Sequence, residues 1–256
     1  MIFRNGLIQS NEPFLDCAFI PGLEDENVHK SNLLKKPYNW EYRHKTIHYK
    51  YNSYGHRSVE IENLSDDYIL FAGCSVTEGV ALRLEDTYPN LVAKELNKDY
   101  YNLGVGGSSP SVSVKNIIAF LSIIGNKPPS TIIIQWPHFQ RYYRIDKFHI
   151  QHFHPKQYNN SFYKELLIDN DAFRYNYTER LYLLHFLHNI KYKGKLLQLH
   201  WEIPEDLDFI TRLDYTCNFT NQHIEKLPDI IDYARDLSHP GSETHKLYCK
   251  KLLEFF

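Results

Sequence analysis

Tyr68-Ile69-Leu70-Phe71-Ala72-Gly73-Cys74-Ser75-Val76-Thr77-Glu78-Gly79 is the stretch from which the rest of the chain can be ordered. The unbroken apolar run from Tyr68 to Ala72 fits a strand buried on both faces, as in a parallel sheet. Gly73 lets the backbone turn sharply at the end of that run. Ser75 then stands at the carboxyl end of a parallel strand, the edge at which open α/β sheets bind ligands. That makes Ser75 a candidate nucleophile. The alternative is a serine capping the next helix, a position serine favours.

A second segment bears on that choice. Asp236-Leu237-Ser238-His239-Pro240-Gly241 precedes a closing helix expected over residues 242–256. An aspartate and a histidine three apart in a turn can bond side chain to side chain. The carboxylate then fixes one imidazole tautomer and leaves the other ring nitrogen free to take a proton from a hydroxyl. A serine needs such a base, because its own pKa is far too high for attack at neutral pH. The alternative is a surface turn with a capping aspartate. His245, on the closing helix, is a rival base without an aspartate placed for it.

Three blocks, in order and spacing, resemble the SGNH (GDSL-like) hydrolases: Gly73-Cys74-Ser75-Val76-Thr77-Glu78-Gly79, Asn102-Leu103-Gly104-Val105-Gly106-Gly107-Ser108, and Asp236-x-x-His239-Pro240. Asn52-Ser53-Tyr54-Gly55-His56-Arg57 resembles an Asn-x-x-Gly-x-Arg segment upstream of the serine in some of these families. The resemblance runs from about Asn52 to the C-terminus. It implies an α/β fold, a flavodoxin-like three-layer α/β/α sandwich around a central, mainly parallel five-stranded sheet. It also implies a serine esterase acting on acyl esters, with acetyl on a polysaccharide as the expected group and Ser75, His239 and Asp236 as the triad. The oxyanion donors it implies are the Ser75 and Gly107 amides. Two positions depart from the pattern. Cys74 stands where the family often has aspartate. The third block, Gly-x-Asn-Asp in the family, is replaced by Thr131-Ile132-Ile133-Ile134-Gln135-Trp136-Pro137-His138-Phe139. Registering the apolar runs places His138 at the donor asparagine, with Gln135 and Trp136 as competitors.

The residues outside these blocks set the frame. Residues 1–51 show no helical period, and Pro13, Pro21, Gly22 and Pro37 punctuate them. Tyr38 to Tyr51 alternates aromatic and polar residues, which predicts one or two strands. The expectation is an N-terminal β-rich arm packed on a core of residues 52–256. Arg57 orients substrate or joins a structural ion pair. Helices are predicted from Tyr88-Pro89 to about Asn97, from Ser109-Pro110 to about Ile124 and from Asp171 to about Tyr192. Strands are predicted at Tyr100 to Leu103, at Ile132 to Ile134 (counted as the fourth buried strand) and at Lys195 to Leu199 (the fifth). Residues 201–228 read as irregular, with a short helix near 204–209. The glycine-rich turn Gly104 to Pro110 lacks the Lys-Ser/Thr of a P-loop and is not Gly-x-Gly-x-x-Gly. It does offer backbone N–H groups to an anion.

Residues 136–160 form a long insertion after a strand's carboxyl end, which should overhang the cleft. Trp136 and Arg141, with Phe139, Tyr142, Tyr143 and Arg144, are candidate acyl or sugar contacts. His149-x-x-His152-x-His154 has ligand-like spacing but no partner motif, and a Ser-His-Asp esterase needs no metal; no metal or cofactor is assigned.

Composition excludes some classes. The chain has 256 residues, 43% of them hydrophobic, enough for one α/β domain with a core. A formal charge of −2 gives no general attraction to nucleic acid or anionic lipid. No apolar run is long enough to span a membrane. Cys17, Cys74, Cys217 and Cys249 lack paired spacing and read as free thiols. No export signal is visible, so the expected setting is the cytoplasm or a virus particle. The expected partner is a small-molecule or carbohydrate ester. Rival readings are an O-acetyltransferase on the same residues, a non-catalytic carbohydrate-binding or virion module, and a Cys74 nucleophile.

Overall fold

The computed structural model describes residues 3–4, 6–138, 141–145, 150–153, 183, 192, 194–201 and 222–256. Five strands form its central sheet: β1 (Tyr68–Gly73), β2 (Asp99–Gly104), β3 (Thr131–Gln135), β4 (Lys195–His200) and β5 (Gln222–Lys226). Their order is β5-β4-β3-β1-β2, and every pairing is parallel. This is the 2-1-3-4-5 order of flavodoxin-like sheets.

The apolar run in β1 is explained by two layers of cover. Tyr68, Leu70 and Ala72 join a cluster with Leu103, Ile132 and Ile134, covered by Val114, Ile117 and Phe120 of α4 (Pro110–Ile124). Ile69 and Phe71 face the other way with Ile133, Leu197 and Leu199. There they meet Tyr88 and Val92 of α3 (Tyr88–Glu95), and Tyr248 and Leu252 of α5 (Ser242–Leu253). Successive strand residues point to opposite faces, so a strand covered on both sides is apolar along nearly all its length. Each such side chain contributes about 1.5–3 kcal/mol of burial.

Two expectations need correction. The sheet's fifth strand is β5, inside the stretch read as irregular, while the strands counted fourth and fifth are its third and fourth in chain order. Among the described residues Gln222-His223-Ile224-Glu225-Lys226 is at the sheet edge and pairs with β4 alone, so it lacks the apolar signature of the inner strands. The arm is also not β-rich. Its strands are two-residue pairs, Phe3–Arg4 with Leu7–Ile8 and Asp16–Cys17 with Tyr49–Lys50. Between them runs a ten-residue helix, α1 (Glu26–Lys35), capped by Asp25, whose side chain accepts from the Asn27 amide. Asn32 is the one buried residue of α1 and Leu34 is 89% exposed, so the helix carries no apolar stripe to read. The alternation from Tyr38 to Tyr51 marks burial from Tyr42 onward, while Tyr38 itself is exposed. Tyr42, Ile47, Tyr49 and Tyr51 enter a third cluster with Ile20, Val80, Ala81, Leu82 and Ala234. They do so from a 3-10 turn and irregular backbone, and only Tyr49–Lys50 is strand.

Part of the 136–160 insertion is an antiparallel pair, Tyr142–Ile145 with Ile150–Phe153. Phe139, His149 and His154 lie outside the described residues, as do the side chains of Tyr142, Tyr143, Arg144 and His152. So do Cys217, the 204–209 helix and all of the 171–192 helix but residues 183 and 192. Cys17, Cys74 and Cys249 are free thiols. Among the described residues no helix is long and apolar enough to cross a membrane, and no cluster of His, Cys, Asp and Glu is arranged to hold a metal.

Candidate active site

β1 delivers the serine through a turn that excludes side chains. A Cβ on Gly73 would stand 2.1 Å from Thr77 Oγ1 and 2.8 Å from the Gln135 carbonyl. Cys74 is the extended N-cap of the short helix α2 (Ser75–Glu78), and Ser75 is its first residue. The cap position therefore belongs to Cys74, which leaves the Ser75 hydroxyl free for another partner.

The second block is laced to the first. Asn102 Nδ2 donates to the Thr77 carbonyl (2.8 Å), and its Oδ1 accepts from the Gly104 amide (2.8 Å). Ser108 Oγ and the Val105 amide both donate to the Gly73 carbonyl, each at 3.1 Å. Gly107 adopts φ +71°, in the left-handed region that glycine enters without strain. The Ser75 and Gly107 amides donate to no described residue.

The third block closes the constellation. Leu237 sits at φ +59° and its amide donates to the Ala234 carbonyl (3.0 Å), while the Ala234 amide donates to the His239 carbonyl (2.9 Å). The tight turn brings Asp236 against His239. Asp236 Oδ2 accepts from His239 Nδ1 (2.5 Å) and Ser238 Oγ (2.7 Å); Oδ1 accepts from the Ser238 and His239 amides (3.0 and 3.1 Å). Burial would push the Asp236 carboxyl up, but the bonds and charge of His239 and the bonds from Ser238 outweigh it and hold its pKa at about 2. An ionised carboxylate at Nδ1 keeps the proton there, so Nε2 presents its lone pair. Nε2 lies 2.9 Å from Ser75 Oγ. Residues 75, 236 and 239, distant in sequence, thus form one hydrogen-bonded line.

Other candidates have different places. His245 is buried, and its Nδ1 accepts from the Tyr88 amide (2.9 Å), capping α3. Burial holds it neutral with a pKa of about 3. Cys74 is buried and its Sγ donates to Gln135 Oε1 (3.2 Å), inside the sheet. Gln135 is buried, and its Nε2 donates to the Trp136 carbonyl (2.7 Å). Trp136 is a core residue rather than a cleft contact: its indole donates to Gln198 Oε1 (2.9 Å) and its amide to the Leu199 carbonyl (2.9 Å). Both competitors for the third donor are buried in the core, while His138 beyond them is half-buried.

Arg57 is also not a substrate contact. Its guanidinium is buried, lies 4.4 Å from the Tyr49 ring centre, and donates to the carbonyls of Gly79 (2.7 Å) and Leu82 (2.9 Å). It pins the backbone that follows α2. Arg141 remains half-buried, with Nε and Nη1 making no hydrogen bond.

Sequence reasoning missed the supports of the site. Glu24 and Arg235 form a buried bidentate ion pair (2.9 and 3.0 Å at Nη2, 3.1 Å at Nε) next to Asp236. Tyr49 OH donates to Glu24 Oε2 (2.5 Å) and accepts from the Ala81 amide (2.8 Å). The Arg235 amide donates to the Ala81 carbonyl (3.3 Å), joining the serine loop to the acid–base turn. A cleft of about 500 Å³ lies between arm and turn, bordered by Leu23, Val28, His29, Asp236 and Ser238. The acidic run Glu24-Asp25-Glu26 gave no sign that its first member is buried.

No protein-family model and no curated protein matches the chain in sequence. Solved structures do match in three dimensions. An acetyl xylan esterase from the rumen bacterium Butyrivibrio proteoclasticus superposes with a TM-score of 0.50 at 15% identity, over 82% of this chain and 66% of that one. The fold is that of the SGNH hydrolases. Two further matches are a carbohydrate esterase family 2 enzyme from Corynascus thermopiles (Myceliophthora fergusii) (TM-score 0.48, 12% identity, 81% and 70% covered) and a lipolytic protein of the G-D-S-L family from Veillonella parvula (0.46, 14%, 74% and 97%). The chain spans just under two thirds of the acetyl xylan esterase. The SGNH fold places the carboxyl ends of β1, β2 and β3 level with one another, with Gly73 opposite Gly104 and Ala72 opposite Ile134.

Proposed function

We propose that this SGNH-fold protein is a serine esterase that hydrolyses acyl esters, with O-acetyl groups on carbohydrate as its substrate class. One observation carries the reading: the line Ser75 Oγ–His239 Nε2 at 2.9 Å and His239 Nδ1–Asp236 Oδ2 at 2.5 Å. Ser75 Oγ attacks the ester carbonyl carbon while His239 Nε2 takes its proton. The tetrahedral intermediate collapses, the bond to the alcohol oxygen breaks, and His239 returns the proton to the leaving alcohol. Water, deprotonated by the same nitrogen, then attacks the acyl-serine; the bond to Ser75 Oγ breaks, His239 returns the proton to Oγ, and the carboxylic acid leaves as its carboxylate. Asp236 holds the tautomer and balances the imidazolium charge.

The Ser75 and Gly107 amides donate to the oxyanion, and His138 is the third donor. Loss of one such donor costs about 3 kcal/mol of barrier, a hundredfold or more in rate. Arg141 contacts the substrate. The choice of acetyl and carbohydrate rests on the fold shared with an acetyl xylan esterase. The engaged relay weighs against a non-catalytic module, which would have no need of it.

The test is labelling with a fluorophosphonate probe followed by peptide mapping, together with turnover of p-nitrophenyl acetate. The probe should mark Ser75, and Ser75→Ala should abolish both labelling and turnover while the fold is kept. Unchanged turnover by Ser75→Ala would refute the assignment. His138→Ala should slow turnover without abolishing it.

A further inference from the structure

The last residue of α2 carries a carboxyl that the esterase chemistry does not use. Glu78 is wholly buried. Its Oε1 accepts from Tyr51 OH (2.7 Å) and Ser10 Oγ (2.5 Å), both in the arm. Its Oε2 faces the Gly106 amide without a hydrogen bond of full geometry, and a Cβ on Gly106 would stand 3.0 Å from it. The backbone of Glu78 also rests on β2, where a Cβ on Gly104 would come within 2.4 Å of the Glu78 amide. Burial raises the pKa of this carboxyl, with the Ser10 and Tyr51 hydroxyls pulling the other way.

Burying an acid costs several kcal/mol, and an apolar side chain of similar size would fill the same space without that cost. The placement of the acid explains its presence. Three segments meet on it: the helix that begins with Ser75, the glycine turn that holds Gly107, and the arm. The far side of that turn is tied by Ser108, whose amide donates to the Val105 carbonyl (3.0 Å) and whose hydroxyl donates to the Gly73 carbonyl. On the near side, Gly106 is packed between Glu78 Oε2 and the Leu23 side chain of the arm; a Cβ there would meet Leu23 Cδ1 at 2.1 Å. An anion donor works only when held to within about 0.5 Å of its productive place.

We propose that Glu78 is a positioning residue: it hangs the Gly106–Gly107 turn on the N-terminal arm and so sets the spacing between the Gly107 and Ser75 amides. The proposal rests on the esterase reading above. It makes the arm part of the machinery that stabilises the transition state, and it ties kcat to Ser10 and Tyr51, which lie far from the serine in sequence.

The experiment uses the full chain with Glu78→Gln, Glu78→Leu and the double variant Ser10→Ala/Tyr51→Phe. Hydrolysis of p-nitrophenyl acetate is measured, with kcat normalised to the sites titrated by a fluorophosphonate, so that unfolded protein does not count. Glu78→Gln should keep kcat within about threefold of the parent. Glu78→Leu should lower it about thirtyfold, a large part of the loss seen on deleting one oxyanion donor, with KM nearly unchanged. The double variant should lower kcat about fivefold, because the carboxyl stays while its anchors go. A normal kcat per titrated site in Glu78→Leu and the double variant, or a loss carried by KM, overturns the proposal. If Glu78→Leu does not fold, the double variant decides alone, and an unchanged kcat there overturns it. Failure of the parent protein to label at Ser75 overturns the esterase reading itself, and is read before any variant is compared.

Discussion

The serine loop and the acid–base turn reach the same point by opposite means. The serine loop is built by subtraction: Gly73 and Gly104 sit where any Cβ would collide with Thr77 or Glu78, and the parallel strands carry the backbone to its place. The acid–base turn has no such rail. Residues 236–239 are enclosed by an isolated β-bridge between Tyr233 and Pro240, and contain a leucine at positive φ. That turn is held from outside, by Glu24 on Arg235 and by Ala81 on the Arg235 amide. A site can thus be half sheet geometry and half long-range clamp, and the two halves should fail differently.

The clamp is where the largest stability effect is expected. Glu24→Ala leaves Arg235 buried beside Asp236 with its charge unpaired, which should cost about 4 kcal/mol. Urea unfolding followed by intrinsic fluorescence reads this as a large fall in midpoint. Glu24→Gln, which keeps hydrogen-bond acceptance, should fall less. Equal and small losses in both would mean that the turn holds itself. On the rail side, Gly73→Ala drives a methyl into the Thr77 hydroxyl, which is buried and bonded to Tyr88 OH, and into the Gln135 carbonyl, which belongs to a packed strand. Overpacking of that kind costs about 3 kcal/mol. The same unfolding measurement should place it just behind Glu24→Ala, and a neutral result would show that the strand ends are less tightly fixed than the rail argument requires.

The same contrast explains what was legible in the sequence. The inner strands announced themselves because burial on both faces leaves them short runs of apolar residues, with few polar ones such as Gln135 and Gln198 among them. The serine alone was readable equally as a helix cap; it became a candidate nucleophile because the glycine turn and the Asp236–His239 pair stand in order beside it in the sequence. Asp236 and His239 were readable because the pair is local, three residues apart. The fifth strand was hidden by its polar edge sequence, and α1 by the lack of an apolar stripe. Arg57 was read as a substrate contact or an ion-pair partner; it is instead a backbone clamp, and Trp136 turned out to be core. Nothing in one dimension shows that an arginine's partners are carbonyls some 25 residues ahead. Glu24–Arg235, more than two hundred residues apart, had no local signal at all.

Acid should separate the halves by a smaller margin. The Asp236 carboxyl falls from 3.8 to about 2 in the folded protein. Its pKa is depressed by folding, so the stability it contributes is present above pH 3.8 and lost as pH falls toward 2. The linked contribution is about 2 kcal/mol. Wild-type protein should therefore lose stability more steeply than Asp236→Asn between pH 4 and 2, and the two curves should run parallel at higher pH. Matching slopes in the acid window would mean that the carboxylate is not held by His239 and Ser238 in solution.

The smallest effect concerns Leu237. A leucine at φ +59° has its Cβ crowded against its own backbone, a cost of about 1 kcal/mol that glycine does not carry. Leu237→Gly removes that strain but also frees the unfolded chain, which takes back about 0.5–1 kcal/mol. Net stability should change by less than about 0.5 kcal/mol. Activity is the sharper readout. If the outside clamp and the Asp236–His239 bonds fix the turn, a flexible residue at its tip should leave kcat for p-nitrophenyl acetate within about twofold. If the strained leucine is itself what presses Asp236 onto His239, kcat should drop well beyond that with stability unchanged, and the acid–base turn would prove to be self-supporting after all.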